Sequence, residues 1–363
     1  MTLLFVSESR GWSGGVNQIL LTACELRRRG HRVVLALRPG GVPLEEARVR
    51  GLEVIPLAMR QDYDVPAAIR LRRACTAIGA DLIHAHHPKA HAVAVVAAHL
   101  GLSSPPVVVT RRVVSRVSDN PFSRWKYRSR RVARYVAVCR AAKAGLVAAG
   151  VGADRVEVVP SAVEVGRFAE AWRRRQDLPP SPPFRIGLVG NSSWRRGHEV
   201  MLDAIPRILG RYPDTRIAFV GRGTERLRPL AEARGISSAI DLLGERRDVP
   251  DILAGLHLFV MPSVEEGIAT ALIEAQCAGV PCVASDTGGI PDVVVHDETG
   301  VLVPAGDSGR LAEAVLALLE KPDRSATLAA NGRTRALREF GLEHLVGRLE
   351  AVYEDCIGRR SRR

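Results

Sequence analysis

Two carboxylates, Glu266 and Glu274, stand eight residues apart in the run EEGIATALIEAQCAGVPCVASDTGG, residues 265–289. Eight residues are slightly more than two helical turns, so the two acids share roughly one helix face. Gly267 follows the first acid directly and lets the backbone come close to a ligand. The next residues, Ile268-Ala269-Thr270-Ala271-Leu272-Ile273, read as helix, with one acid at its mouth and the other two turns deeper. The first N–H groups of a helix are unpaired and lie at its positive end, so they attract anions. A carboxylate beside them accepts hydrogen bonds from hydroxyls. A ligand that offers phosphates and hydroxyls together is a nucleotide sugar. Two glutamates at this spacing also occur on ordinary surface helices, so the neighbouring elements decide.

Before the pair, Leu256-His257-Leu258-Phe259-Val260-Met261 reads as a strand closed by Pro262-Ser263. After it, Cys277-Ala278-Gly279 ends the helix, residues 280–285 read as another strand, and Gly288-Gly289 as a tight turn. In open α/β sheets ligands sit beyond the carboxyl ends of strands. From 262 to 307 the chain resembles the C-terminal signature of the family-4 glycosyltransferases. The resemblance is carried by Pro262-Ser263, Glu266, Glu274, Ala275, Gly279-Val280-Pro281, Val283-Ala284, Gly288-Gly289, Gly300 and Pro304. It implies the GT-B fold, an α/β architecture of two Rossmann-like domains whose parallel sheets face across a cleft. It also implies transfer of a sugar from a nucleotide diphosphate sugar, with retention of anomeric configuration, no metal ion and no cofactor. Glu266 would then be the catalytic acid residue that meets the sugar and the charge building at the anomeric carbon. Glu274 would bind the ribose, and the backbone at Gly267, Ile268, Ala269 and Thr270 the diphosphate.

The elements that must position these groups alternate strand and helix twice. In the first half strands are expected over 3–7, 32–37, 51–57, 82–85, 106–110 and 135–139, with helices between them. A stretch of charge followed by prolines, WRRRQDLPPSPP at 172–183, has the composition of a linker. A second alternation then begins with strands over 184–189, 215–220 and 240–243. The expected domains are 1–175 for the acceptor and 184–341 for the nucleotide sugar. A last amphipathic helix, 342–357, is implied by the resemblance to cross back to the first domain.

Further candidates lie in the loops after these strands. Gly14-Gly15 follows the first strand and opens a helix, as a tight turn does, and the resemblance implies that this loop faces the donor. In Gly190-Asn191-Ser192-Ser193-Trp194-Arg195-Arg196-Gly197-His198 the family has an Arg after the first glycine and a Lys before the second. Here Asn191 and Arg196 stand at those places, with Arg195 as a second cation. A guanidinium clamps phosphate at least as well as an ammonium. Relatives commonly carry a donor-facing His after the strand at 107–110, where this chain has Arg111-Arg112. Either an Arg takes part of that role, or His84 or His86 does, or an Arg binds an anionic acceptor. The cluster His84, His86, His87 and His91 lacks a Cys or acid at metal spacing, so no metal site is expected. Asp62-Tyr63-Asp64 reads as a solvated loop.

A chain of 363 residues is long enough for two domains with cores of their own. Lys and Arg outnumber Asp and Glu by 29 to 13 in residues 1–175, whereas the remainder is slightly acidic. The stretch 111–134 holds nine basic residues, one acid, and Phe122, Trp125 and Tyr127. Basic residues interleaved with aromatics suit an anionic membrane surface. No nucleic-acid motif accompanies the charge, so no nucleic-acid partner is expected. The apolar run at the start reads as a strand and no run is long enough for a membrane span, so the expectation is a cytoplasmic chain, peripheral on the inner face of the cytoplasmic membrane. The six cysteines form no Cys-x-x-Cys and imply reduced thiols. The partners expected are a nucleotide sugar donor and a lipid-linked or cell-envelope glycan acceptor. Two other readings stay open, a GT-B sugar-nucleotide epimerase and a non-enzymatic protein that binds anionic surfaces.

Overall fold

The computed structural model describes residues 1–101 and 104–361. They form two compact α/β units. One comprises Met1–Ser161 together with the segment from Leu342, and the other Ala162–Gly341.

The strands of the first unit are β1 (Thr2–Ser7), β2 (Arg32–Leu37), β3 (Glu53–Pro56), β4 (Leu82–His86), β5 (Val107–Arg111), β6 (Val132–Ala137) and β7 (Val156–Val158). They make a parallel sheet in the order β3-β2-β1-β4-β5-β6-β7. A parallel sheet is covered by helices on both faces, so its inner strands are apolar throughout. Accordingly β4 is buried along its whole length and β1 at all but its first residue. The sheet winds in opposite directions from β1, making the carboxyl ends of β1 and β4 its topological switch point. The C-terminal helix Leu342–Ser361 belongs to this unit and packs on the helix Gly14–Arg28. Its Tyr353 is buried and bonded to His84, and Glu350 pairs with both Arg29 and His31.

The second unit holds β8 (Arg185–Val189), β9 (Arg216–Val220), β10 (Ile240–Gly244), β11 (Leu258–Met261), β12 (Cys282–Asp286) and β13 (Val301–Pro304). Their order is β10-β9-β8-β11-β12-β13, all parallel, with the switch point at β8 and β11. Alternation along β11 divides the core. Leu258 and Val260 join Ile186, Leu188 and the helix His198–Arg211 on one face. Phe259 and Met261 join Leu272 and Ile273 on the other.

Two Rossmann-like units are therefore present, as the resemblance implied. The edge strands β7 and β13 go beyond the sequence pattern. They are three and four residues long, too short to show an alternation. The stretch at 172–183 departs from the expected linker. The helix Ala169–Arg175 packs within the second unit, and the chain passes between units at 161/162 and 341/342. The reason lies in its side chains. Trp172 covers Gly279, where no Cβ would fit, and Arg333 stacks on the same ring at 4.8 Å. Arg175 donates to the carbonyls of Gly279 and Leu256, at the ends of the helices Thr270–Cys277 and Val249–Ala254. Charge that reads as solvated is spent on helix C-termini. No helix among the described residues is long and apolar enough to cross a membrane.

Candidate functional site

In the second unit the loops after β8, β9, β11 and β12 meet beside the switch point. Glycine makes the meeting possible. Gly197 has φ +66 and lies so close to Pro262 that an added Cβ would overlap the Pro262 carbonyl. Val264 N–H donates to the Arg195 carbonyl at 2.8 Å, tying the loop after β11 to the loop after β8. Gly288 has φ +57, and its Cβ position falls on the carbonyl of Glu266. Gly289 N–H donates to that same carbonyl at 3.1 Å. Gly288-Gly289 thus holds Glu266 from behind.

Glu266 is only 7 % exposed. One carboxylate oxygen pairs with the Arg196 guanidinium, and the other accepts from Gly267 N–H at 3.0 Å. Burial pushes its carboxyl above the usual range, against the pull of Arg196 and of the Gly267 N–H. The helix behind it runs Thr270–Cys277, two residues shorter at its start than the sequence pattern. Gly267, Ile268 and Ala269 form the approach to it. Ala269 offers no side-chain cap to the amides of the first turn. Glu274 consequently sits one turn inside the helix and not two. Although part of its surface stays open, the surrounding protein pushes its carboxyl up to about 7, with Arg167 pulling the other way.

Arg195 lies half-exposed, over the Trp194 ring at 5.5 Å and 3.7 Å from Glu265. Asn191 faces the neighbouring loop. Its Oδ1 accepts from Arg222 N–H at 3.1 Å, while Ser192 N–H donates to the Arg222 carbonyl at 2.9 Å. Asn191 therefore braces the loop in the place where relatives carry a cation. Arg222, exposed and adjacent, is a cation the sequence reading missed. Its signal was the Gly221-Arg222-Gly223 turn after β9.

In the first unit Gly14-Gly15 opens the helix Gly14–Arg28, capped by Ser13 Oγ accepting from Val16 N–H at 3.3 Å. A Cβ on Gly15 would lie 3.3 Å from Arg112 Cδ and 3.6 Å from His87 Nε2. His87 is the second residue the sequence reading did not select. It holds φ +81, uncommon for a residue with a Cβ, and bonds Ser7 Oγ through Nδ1 at 3.0 Å. Burial, then Arg112, pushes its ring down to about 4.

The two arginines after β5 part ways. Arg111 turns inward to Tyr127 Oη at 3.0 Å and the Ser115 carbonyl. Arg112 lies by Gly15 and reaches Ser161 Oγ at 3.3 Å, and burial pushes it down to about 10. His84 is buried between Tyr353 Oη at 2.7 Å and Thr110 Oγ1 at 2.6 Å, and burial drives it down to about 3. The His86 ring lies tilted against it at 4.0 Å, and burial holds it well below its ordinary value. Both rings are packed inside the unit, supporting the loop that carries His87. Among the described residues no three His, Cys, Asp or Glu side chains gather where a metal ion could be held.

The basic stretch 111–134 is not one exposed face. Lys126 is buried, bonded to the Pro88 carbonyl at 3.3 Å and paired with Asp62 at 3.4 Å. Asp64 is buried too, accepting from Ala67 N–H and Arg60 N–H, so the Asp62-Tyr63-Asp64 segment is a helix cap and an ion pair more than a solvated loop. What remains outside on the helix Pro121–Arg128 is Arg124, Arg128 and Trp125, the last 41 % exposed.

Comparison with known proteins bears on both units. Residues 12–167 match the family described as Glycosyltransferase Family 4, and residues 183–321 match Glycosyl transferases group 1. The phosphatidyl-myo-inositol mannosyltransferase of Mycobacterium leprae (strain TN) is 29% identical over 358 residues, covering 94% of this chain and 93% of that one. The lipopolysaccharide core biosynthesis mannosyltransferase LpsB of Rhizobium meliloti (strain 1021) is 30% identical over 189 residues, 50% of this chain and 54% of that one. Among solved structures, Anabaena Alr3699/HepE in complex with UDP superposes with a TM-score of 0.84 at 21% identity, over 98% of this chain and 100% of that one. A glycosyltransferase from Rickettsia africae ESF-5 gives 0.85 at 18% identity, over 98% of each chain.

Proposed function

We propose that this chain, a glycosyltransferase of the GT-B fold related to the family-4 nucleotide-sugar transferases, moves a sugar from a nucleotide diphosphate sugar to a lipid-linked or cell-envelope acceptor. The observation that carries the reading is the Arg196–Glu266 pair at the switch point of the second sheet, one loop from the start of the helix that holds Glu274. Arg196, with Arg195 and the amides of Gly267–Thr270, takes the diphosphate. Glu274 accepts hydroxyls of the ribose. Glu266 accepts hydroxyls of the sugar and stabilises the positive charge that develops at its anomeric carbon.

The acceptor oxygen attacks the anomeric carbon on the face from which the diphosphate departs. The bond from that carbon to the phosphate oxygen breaks, and the acceptor proton passes to the departing oxygen. The configuration is retained without a covalent intermediate. Cations and fixed N–H groups meet the charge of the leaving group, so the step is proposed to run without a metal ion. The relatives named for phosphatidyl-myo-inositol and for lipopolysaccharide core support an acceptor in the cell envelope. Exposed Trp125 beside Arg124 and Arg128 supports contact of the first unit with an anionic membrane surface.

The test is a panel of nucleotide sugars titrated against the purified chain. At least one is expected to bind, and Glu274→Ala is expected to weaken it about ten-fold or more, as loss of a charged hydrogen-bond partner does. No binding by any donor, or equal binding by Glu274→Ala, overturns the assignment.

A further inference from the structure

The loop that carries Arg195 and Arg196 has no apolar anchor. No residue from Gly190 to Arg196 is buried, and Trp194 within it is 66 % exposed. Polar contacts hold it instead. Asn191 and Ser192 tie one end to Arg222, and at the other the Arg195 carbonyl accepts from Val264 N–H. Beneath the loop the helix His198–Arg211 begins with a histidine, 2 % exposed, whose ring stacks on Phe219 at 6.0 Å. Neither ring nitrogen of His198 completes a hydrogen bond among the described residues. Burial pushes the ring down to about 4, so it is neutral near pH 7 and has one N–H to give. The backbone of Gly190 and of Ser193 is near enough to act on the ring, in the direction that favours its charged form, as carbonyl oxygens do. Arg196 is near enough to oppose them. A donor thus stands beside its acceptors without being bonded to them.

A buried polar group without a hydrogen bond lowers stability, and an apolar side chain of similar size would not. Ser193 links this ring to the cation. Its carbonyl accepts from Arg196 N–H at 3.1 Å, and Arg196 Cδ lies 3.7 Å from where a Cβ on Gly190 would stand. We propose that His198 is a positioning residue for the diphosphate of the donor. As the diphosphate takes up Arg196, the loop settles onto the ring and His198 N–H donates to the Ser193 carbonyl, fixing the turn that aims Arg196. A hydrogen bond made only in the complex, by a group already out of water, strengthens binding by its own worth. The inference rests on the donor reading above, and His198 itself touches no ligand.

The test sets nucleotide binding against stability in the full chain, with the diphosphates of guanosine, uridine and adenosine as probes. His198→Met keeps the packing on Phe219 and removes both nitrogens. It is expected to unfold at the same denaturant concentration as the parent or a higher one, and to bind the preferred nucleotide about ten-fold more weakly. His198→Asn and His198→Gln place an amide N–H near the position of Nδ1 or Nε2, and one of the two is expected to restore most of the affinity. A role in the core alone predicts the reverse for His198→Met, lost stability with unchanged affinity, and that result overturns the proposal. The parent gives a second reading that needs no stable apolar variant. In spectra of the chain labelled with ¹⁵N-histidine, the His198 ring signal, identified by its loss in His198→Gln, should shift at saturating nucleotide and its N–H exchange more slowly with solvent. A ring signal that the nucleotide leaves unchanged also overturns the proposal. Glu274→Ala separates this inference from the donor reading. If it weakens the nucleotide and His198→Met does not, His198 has no positioning role and the donor reading stands, whereas a parent that binds none of the nucleotides ends both.

Discussion

Glu274 offers the sharpest test, because its surroundings hold its carboxyl up to about 7 while its proposed ligand needs it ionised. Ribose hydroxyls donate to a carboxylate, so donor binding favours the deprotonated form and must release the proton carried by the free protein. At pH 6 a group of this pKa is about nine-tenths protonated, so about 0.9 proton leaves per donor bound, falling to about 0.1 at pH 8. Donor affinity should be about ten-fold weaker at pH 6 than at pH 8, or roughly 1.4 kcal/mol. Calorimetry in two buffers of different ionisation enthalpy reads the protons directly. The titrant should be a nucleotide sugar, whose diphosphate is esterified at both ends and does not itself titrate here. Glu274→Gln removes the titrating group, and its donor binding should be weaker, flat with pH and free of proton release. A variant that releases as many protons as the parent, or a parent that releases none at pH 6, refutes the assignment of Glu274 to the ribose. The same raised value sets the sign for folding. Its acid loses the proton earlier in the unfolded chain, so its contribution to stability is best below about 4.5 and declines as pH climbs toward about 7.

Other consequences follow from the same geometry. Gly288→Ala would drive a methyl into the Glu266 carbonyl at φ +57; the expected loss is about 1 kcal/mol or more of stability and about a hundred-fold of turnover, since a misplacement near 1 Å costs that much, and turnover within a few-fold of the parent would show that Glu266 is not held this way. Arg196→Gln removes the cation that opposes the burial of Glu266, so the acid limb of the kcat/KM profile should move to higher pH, with Arg196→Lys moving it back. Arg175→Met keeps the packed stem but strands the carbonyls of Gly279 and Leu256; a cost of about 2–4 kcal/mol is expected in denaturant unfolding, against no change if the helix Ala169–Arg175 were a loose linker. Flotation with vesicles rich in anionic lipid should recover the chain, and Trp125→Ala should reduce recovery, whereas neutral vesicles should leave it behind.

The alternation of strands and helices was legible along the chain because parallel sheets demand apolar strands, and those strands need no distant partner to be recognised. The same holds for Pro262-Ser263, Glu266, Glu274 and Gly288-Gly289, whose spacing is local and whose Gly288 marks a positive φ. The edge strands β7 and β13 were not legible, since a few residues carry no period. Nor was the fate of the charges. Arg175 and Lys126 have the composition of a surface, yet they are folded inward because carbonyls and a carboxylate from distant segments meet them there. Arg111 and Arg112 are neighbours of one type, but successive residues at the end of a strand point to opposite faces. Only the tertiary fold says that one braces Tyr127 and the other lies by Gly15. The sequence by itself determined the architecture and the class of chemistry, because both reside in patterns a few residues long. Which cations are free to meet a phosphate was decided by the tertiary structure, because a charge is available to a ligand only when no distant part of the chain has already satisfied it.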